Sequence, residues 1–298
     1  MNNTTRLQPS FPPYAQTVVG IVFGILLLLT IVLNVMALRV LYRTRARYSV
    51  LFSVYLAHVF LSNILVNLLD IPFDFFDKMF PGHLTFTPCI VYSYVNWMLF
   101  AILTNAHLLI TLNRVWAVVH PFSYHRLQHS LRLAVGSCAV TWLFVHVCAG
   151  PLFIYRIYRL NEHDTCLIDM TDYSPAQSIP VQIWETAVFA VLFVVPIVSI
   201  VALYPWIAWK RKQAKRFLRR DSTKVARQSV TDGKTFRVLM VLTGSLLFSW
   251  IPELIWWIMQ DWVGIDAAVY AVIDLVLDMT WAAQGLLDPT LFIMVLRE

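Results

Sequence analysis

Long apolar stretches alternate with short charged segments along the whole chain. Five of these stretches contain no Lys, Arg, Asp or Glu; they are residues 7–38, 48–69, 79–113, 133–155 and 186–209. Two further stretches, 238–260 and 267–296, are apolar but carry a few acids. A bilayer core of about 30 Å needs roughly 20 apolar residues per helix, whereas membrane strands are about half that length. The pattern therefore predicts an all-α membrane protein, a bundle of seven transmembrane helices. Their approximate limits are residues 17–42, 50–76, 88–120, 132–155, 182–210, 235–261 and 267–295.

The composition supports a membrane protein over a soluble one. Hydrophobic residues make up 59% of the 298 residues, charged residues 13%, and the mean hydropathy is +0.66. A soluble domain carries about 25% charged residues. A soluble enzyme, a disordered chain and a nucleic-acid-binding protein are all disfavoured, although the net charge is +6.

The placement of the basic residues predicts the orientation. Of the 23 Lys and Arg, 19 fall in the connections after spans one, three and five or at the C-terminus. Because basic residues accumulate on the cytoplasmic side, these connections are expected to lie inside. The N-terminus is then outside, with residues 1–16 as an extracellular segment and residues 211–234 as a basic third cytoplasmic loop that can also contact membrane lipid. The outer segment contains two overlapping glycosylation sequons, at Asn2 and Asn3.

Motifs typical of enzymes and metal sites do not occur in the sequence. CxxC, HExxH, GxSxG and GxxxxGK[ST] are all missing, so no catalytic site, cofactor or metal site is predicted. Cys138 and Cys148 lie inside the fourth predicted span, as small apolar residues. Cys89 and Cys166 lie on the predicted outer side, where an oxidising environment favours a disulfide between them.

Motifs in the predicted spans occur in the order found in a known receptor family. Span three ends in Asn113-Arg114-Val115, span six contains Ser249-Trp250-Ile251-Pro252, and span seven contains Asp288-Pro289-Thr290-Leu291-Phe292. The further landmarks are Asn34, Leu61-Ser62-Asn63, Trp142, Pro196 and Tyr204, with Cys89 standing 25 residues before Arg114. The chain resembles the rhodopsin-like G-protein-coupled receptors, whose corresponding motifs are D/E-R-Y, C-W-x-P and N-P-x-x-Y. The resemblance covers essentially the whole chain and also matches Cys89 to the disulfide cysteine of the family.

The resemblance implies a switch at the inner end of the bundle. In the family the matched arginine is restrained at rest and faces a heterotrimeric G protein when the sixth helix swings outward. The switch residues implied here are Asn113, Arg114, Tyr204, Asp232, Pro252, Asp288, Pro289 and Phe292. Asn113 replaces the family's acid, so it cannot hold Arg114 by charge. Asp232 either pairs with Arg114 or caps the sixth helix, and the sequence leaves both alternatives open.

The resemblance also implies a polar core. Family members carry an acid in the second helix and an asparagine in the seventh, and these two types are exchanged here at Asn63 and Asp288. We therefore expect the two side chains to interact, with Asn34 and Gln284 as neighbours. The alternative is two independent polar substitutions in a hydrated core.

Acidic residues concentrate at the predicted outer side, which carries 13 of the 17 Asp and Glu. This excess predicts an extracellular cationic ligand, such as a basic or amidated peptide, unless the acids merely solvate the interface. The expected ligand-binding residues are Asp70, Asp74, Asn96, Trp250, Glu253, Trp256, Asp278 and Trp281. The tryptophans supply aromatic walls for a cation.

Other function classes fit the sequence less well. No lysine lies in span seven, so a retinal-binding photoreceptor is disfavoured, and Asn96 stands where amine receptors carry an aspartate. A channel or transporter that uses the intramembrane acids as an ion path remains an alternative. In the third cytoplasmic loop, Ser222 and Thr223 follow a basic segment typical of phosphorylation sites, although an unmodified loop is equally compatible.

Overall fold

The computed structural model describes residues 13–79, 86–160, 175–218, 223–259 and 267–297, and these residues form a bundle of long helices. We number the seven long helices α1 to α7. They are α1, Pro13–Thr44; α2, Val50–Leu65, continued by a π-helical turn, Val66–Asp70, and by Ile71–Met79; α3, Phe86–Val119; α4, Leu131–Leu160; α5, Pro175–Phe189, continued by a π-helical turn, Ala190–Val194, and by Val195–Leu218; α6, Thr223–Met259; and α7, Ala267–Arg297. A 3-10 turn, Arg45–Arg47, and a short helix, Pro121–Leu127, lie between long helices.

Each predicted span coincides with one long helix, but α5 and α6 extend beyond the predicted limits. The structure continues α5 to Leu218 and begins α6 at Thr223, so most of the segment 211–234, which the sequence predicts as a loop, is helical. The segment is rich in Lys, Arg, Gln and Ala, which favour helix as strongly as apolar residues do. A rise in the number of charged residues indicates where a helix leaves the apolar layer of the membrane. It does not indicate where the helix ends.

The helices present apolar side chains outward, as a membrane protein does. Leu28 on α1 and Val140 on α4 are 66% and 64% exposed. Six helices in the described part of the chain are long and apolar enough to cross a membrane; they are Gln16–Thr44, Val50–Phe73, Ile90–Val119, Leu131–Tyr155, Pro180–Lys210 and Phe236–Trp256. The helix α7 is not among these six, and it carries Asp274, Asp278 and Asp288.

Two helices hold the interior of the bundle together. α3 packs against α2, α4, α5 and α6, while α7 packs against α1, α2 and α6. Side chains that point inward from α3 and α7 therefore meet residues of nearly every other helix.

A proline follows each of the two π-helical turns. Pro72 and Pro196 each follow such a turn by two residues. A proline ring clashes with the carbonyl four residues earlier, here Leu68 and Leu192, and both residues lie inside the widened turns. The widened turn in α2 shifts the residues after it around the helix axis, and Asp70 at its end points into the bundle, only 2% exposed.

Candidate functional site

A cavity of about 240 Å³ opens at the end of the bundle that lies opposite Arg114. Side chains from α1, α2, α3, α5, α6 and α7 line it; they are Phe23, Asp70, Ile71, Asn96, Trp97, Phe100, Phe189, Phe193, Trp250, Glu253, Asp278 and Trp281. Six of the eight ligand-binding residues expected from the sequence are in this set. Trp256 does not line the cavity, and the side chain of Asp74 lies outside the described residues.

Three carboxylates from three helices meet in this cavity. The π-helical turn of α2 brings in Asp70, Glu253 follows Pro252 in α6, and Asp278 lies on the inner face of α7. Carboxylates that line one cavity repel one another, and a cation among them lowers that repulsion. The arrangement therefore favours a positively charged occupant.

Aromatic rings form the floor of the cavity. Trp250 meets Trp281 at 4.6 Å between ring centroids and Phe193 at 5.0 Å, and Trp281 meets Phe100 at 4.2 Å. The indole N–H of Trp250 is buried and has no hydrogen-bond partner among the described residues. The floor can thus stack against an organic cation, and the Trp250 N–H can donate to an acceptor elsewhere on the same ligand. The sequence reasoning did not identify Phe100 or Phe193, although Phe100 lies one helical turn after Asn96.

Below this floor, the carboxylate of Asp288 joins four helices. It is fully buried on α7 and accepts hydrogen bonds from Asn63 Nδ2 of α2, at 3.1 Å, and from Ser245 Oγ of α6. His107 Nε2 of α3 lies 3.4 Å from Asp288 Oδ2. The structure therefore brings Asn63 and Asp288 into direct contact. It adds His107 and Ser245, which stand seven residues before Arg114 and Pro252 and so share their helix faces.

The amide of Asn34 connects α1 to α7 beside this carboxylate. Its Nδ2 donates to the backbone carbonyls of Thr30 and Gly285, at 2.8 Å each. Gln284 is only 1% exposed, and its side-chain amide makes no hydrogen bond within the described ranges. A buried amide without partners costs about 1–3 kcal/mol, so the core holds polar groups that a rearrangement of the helices can pair.

Gly285 allows α1, α2 and α7 to approach one another. A Cβ at this position would lie 2.8 Å from both Asn67 Nδ2 and Thr30 Cγ2, closer than van der Waals contact permits. We expect Gly285→Ala to lower the free energy of unfolding by about 1–3 kcal/mol, because the buried neighbours must move apart. Thermal unfolding of the purified receptor measures the change. Gly24→Ala is the matched control, since a Cβ there meets nothing within 4 Å. Equal stability of the two variants would contradict the close approach.

The inner end of α3 carries the arginine that the family motif identifies. The Cζ of Arg114 lies 4.1 Å from the centroid of the Phe52 ring on α2. The hydroxyl of Tyr204 on α5 interacts with Thr111 and Thr243 and lies in the field of the Arg114 charge. The arginine and the tyrosine of the expected switch therefore lie together, between α2, α3 and α5.

The remaining switch positions are buried or half-buried, apart from Asp232, whose side chain is not described. The side chain of Asn113 is 4% exposed, and its amide makes no hydrogen bond in the part of the chain that is described. Phe292 is fully buried and packs on Phe60, with 5.2 Å between ring centroids. Pro252 and Pro289 lie inside α6 and α7.

Several expected sites fall outside the described residues. Asn2, Asn3, Cys166 and Ser222 are not described at all. Cys89, Thr223 and Asp232 lie in helices, but the description does not include their side chains. The disulfide, glycosylation and phosphorylation sites and the pairing of Asp232 therefore remain expectations. Cys138 and Cys148 are free, half-buried thiols in α4.

Seven long helices around a polar core, with a cavity at one end and a half-buried arginine towards the other, form the architecture of a seven-helix membrane receptor. Residues 33–292 match the sequence model of the 7 transmembrane receptor (rhodopsin family), so the chain belongs to this family, as its motifs predict. Members of the family are receptors and not enzymes. The chain is accordingly a multi-pass membrane protein of the G-protein-coupled receptor class.

Several curated proteins are similar to the chain. The mouse (Mus musculus) "Probable G-protein coupled receptor 19" is 25% identical over 262 residues, which cover 85% of this chain and 58% of that protein. "Type-1 angiotensin II receptor B" of Rattus norvegicus is 23% identical over 57% of this chain and 46% of its own length. "C5a anaphylatoxin chemotactic receptor 1" of Cavia porcellus is 24% identical over 59% of this chain and 45% of its own length. The chain thus spans about half the length of the relatives it matches.

Proposed function

We propose that this receptor binds an extracellular cationic ligand at the plasma membrane and activates a heterotrimeric G protein. The observation that carries the proposal is the convergence of Asp70, Glu253 and Asp278 in one aromatic-walled cavity. The N-terminus faces outward and the C-terminus inward, because the excess of basic residues lies at the Arg114 end of the bundle. The cavity then opens to the extracellular side.

The size of the cavity supports a ligand that enters only in part. Its volume of about 240 Å³ lies below the range of about 300–1,000 Å³ that is common for sites enclosing whole drug-sized molecules. A single basic side chain or an amidated end of a peptide fits this volume, while the rest of the peptide lies on the acidic outer rim. Angiotensin II and C5a anaphylatoxin appear in the names of similar receptors, which also favours an extracellular ligand.

A channel or transporter is the less favoured function. An ion path would have to continue from the cavity carboxylates to Asp288, and the packed rings of Phe193, Trp250 and Trp281 form a floor between them. The family match and the Asn113-Arg114-Val115 motif also favour a receptor.

Nucleotide exchange in membranes that contain the receptor and a panel of G proteins tests the proposal. We expect basic and amidated peptides, added as candidate agonists, to stimulate exchange. Anionic lipids and nucleotides, added in the same way, should have no effect. Arg114→Gln is the control for the switch and should abolish the response without abolishing ligand binding. Ligand-dependent ion or solute flux without nucleotide exchange would favour the transporter, and an anionic agonist would exclude the proposed ligand class.

The short helix Pro121–Leu127 presents an apolar side chain where the G protein would dock. Phe122 is 92% exposed at the end of the bundle that carries Arg114. Burial of a phenylalanine at an interface contributes about 1.5–3 kcal/mol. We expect Phe122→Ala to reduce agonist-stimulated nucleotide exchange about tenfold, with ligand affinity in G-protein-free membranes unchanged. Leu127→Ala, a smaller truncation on the same helix, is the comparison. Equal exchange in the two variants would exclude Phe122 from the docking surface.

A further inference from the structure

The guanidinium of Arg114 lies over the face of an aromatic ring. Its Cζ is 4.1 Å from the ring centroid of Phe52, and the Phe52 side chain is fully buried. The face of a phenylalanine ring carries negative potential, so it attracts a cation, and the attraction strengthens when water is excluded. A buried ring at this distance therefore supplies a favourable place for the guanidinium charge.

The turn that carries Phe52 is fixed to the short helix Pro121–Leu127. Ser49 caps the start of α2, and its Oγ accepts the Phe52 backbone N–H at 3.3 Å. The same oxygen is 2.9 Å from the hydroxyl of Tyr124, and the two groups share a hydrogen bond. The backbone N–H of Leu51 donates to the carbonyl of Gln128, just beyond the short helix, at 3.2 Å. A displacement of the short helix is thereby transmitted to the ring that faces Arg114.

The residue before Arg114 provides no charge for this arginine. Asn113 is buried and neutral, whereas the family motif has an acid at this position. We propose that Phe52 is a positioning residue that holds Arg114 in its resting place through its ring face, and that movement of the short helix weakens this contact. The proposal rests on the proposed receptor function. The short helix Pro121–Leu127 then has a second role besides G-protein docking, because its movement releases Arg114.

A series of fluorinated phenylalanines at position 52 tests the contact directly. Successive fluorine substitution withdraws electrons from the ring face and changes the ring volume little, so it weakens the attraction for a cation stepwise. We expect basal nucleotide exchange to rise with each fluorine, by about two- to fivefold at three fluorines. We also expect the unfolding temperature of the purified receptor to fall stepwise, and to stay constant along the same series in an Arg114→Gln background.

Leu56→Ala separates the ring contact from packing. Leu56 is fully buried on α2, one turn after Phe52 on the same helix face, and its truncation removes packing but keeps the ring and its π electrons. We expect this variant to unfold at a lower temperature with unchanged basal exchange, whereas Phe52→Leu raises basal exchange. If the unfolding temperature does not change with fluorine number, or falls equally in the Arg114→Gln background, the contact between Phe52 and Arg114 does not exist. If the unfolding temperature falls along the fluorination series but basal exchange stays constant, Phe52 does not restrain Arg114. Absence of nucleotide exchange in the unmodified receptor would count against the proposed function alone, because the unfolding series still decides the contact.

Discussion

Exchange of Asn63 and Asp288 for one another should recover much of the signalling that either single substitution removes. The structure places the Asn63 amide 3.1 Å from the Asp288 carboxylate, in a core with 0–1% exposure at both positions. One acid and one amide form a complementary donor–acceptor pair whichever helix carries the acid. The pair should therefore tolerate exchange better than the loss or duplication of either type.

The two single variants should fail for different reasons. Asn63→Asp places two carboxylates in contact without water, and we expect it to cost about 3 kcal/mol or more of stability and to reduce surface expression. Asp288→Asn removes the negative charge and one of the two oxygens that Asn63, Ser245 and His107 face, and we expect agonist-stimulated exchange to fall about tenfold with better-preserved expression. Surface expression and nucleotide exchange of all four receptors complete a double-mutant cycle. If the effects of the single variants simply add in the double variant, the two residues do not act as a pair.

Neutralisation of Asp278 or Asp70 should produce the largest losses of ligand potency. A desolvated charge pair that loses one partner costs about 2–5 kcal/mol. We therefore expect Asp278→Asn and Asp70→Asn each to raise the concentration for half-maximal response to a cationic agonist about 30-fold or more. Concentration–response curves for nucleotide exchange measure the shift.

Glu185→Gln controls for the change in net charge. Glu185 is a half-buried acid in the same half of α5 as the cavity residue Phe189, and it does not line the cavity. We expect its neutralisation to shift the same curve by less than about threefold, the scale of a screened surface charge. Equal shifts for Glu185→Gln and Asp278→Asn would mean that the cavity responds to overall charge and not to a direct contact.

The helices could be predicted from the sequence because the bilayer imposes a simple rule on them. Charge-free stretches such as 48–69 have to cross the membrane as helices. The rule does not operate beyond the apolar layer, and the helical extensions on both sides of residues 219–222 were therefore missed. The π-helical turn that brings Asp70 inward was also missed, since a proline alone does not reveal whether a helix kinks or widens.

Only part of the polar core could be predicted from the sequence. Asn63 and Asp288 were expected to interact because family motifs mark both positions. His107 and Ser245 belong to no motif, and a lone polar residue in a span gives no indication of its partner. Their places became clear only when the packing of α3 and α6 against α7 was known. Helix spacing from Arg114 and Pro252 was the one available signal.

Because α6 is long, a small bend near the cavity floor produces a large displacement at the basic end of the helix. The helix has 37 residues, and Thr223, its first residue, lies 29 positions before Pro252. At 1.5 Å per residue the lever from the proline to the basic end is about 43 Å long. A bend of about 10° at the proline would then displace that end by about 7.5 Å, close to the roughly 8–10 Å between the axes of two packed helices. A small bend at Pro252, two residues after Trp250 of the cavity floor, would thus produce its largest displacement at the opposite end of the molecule.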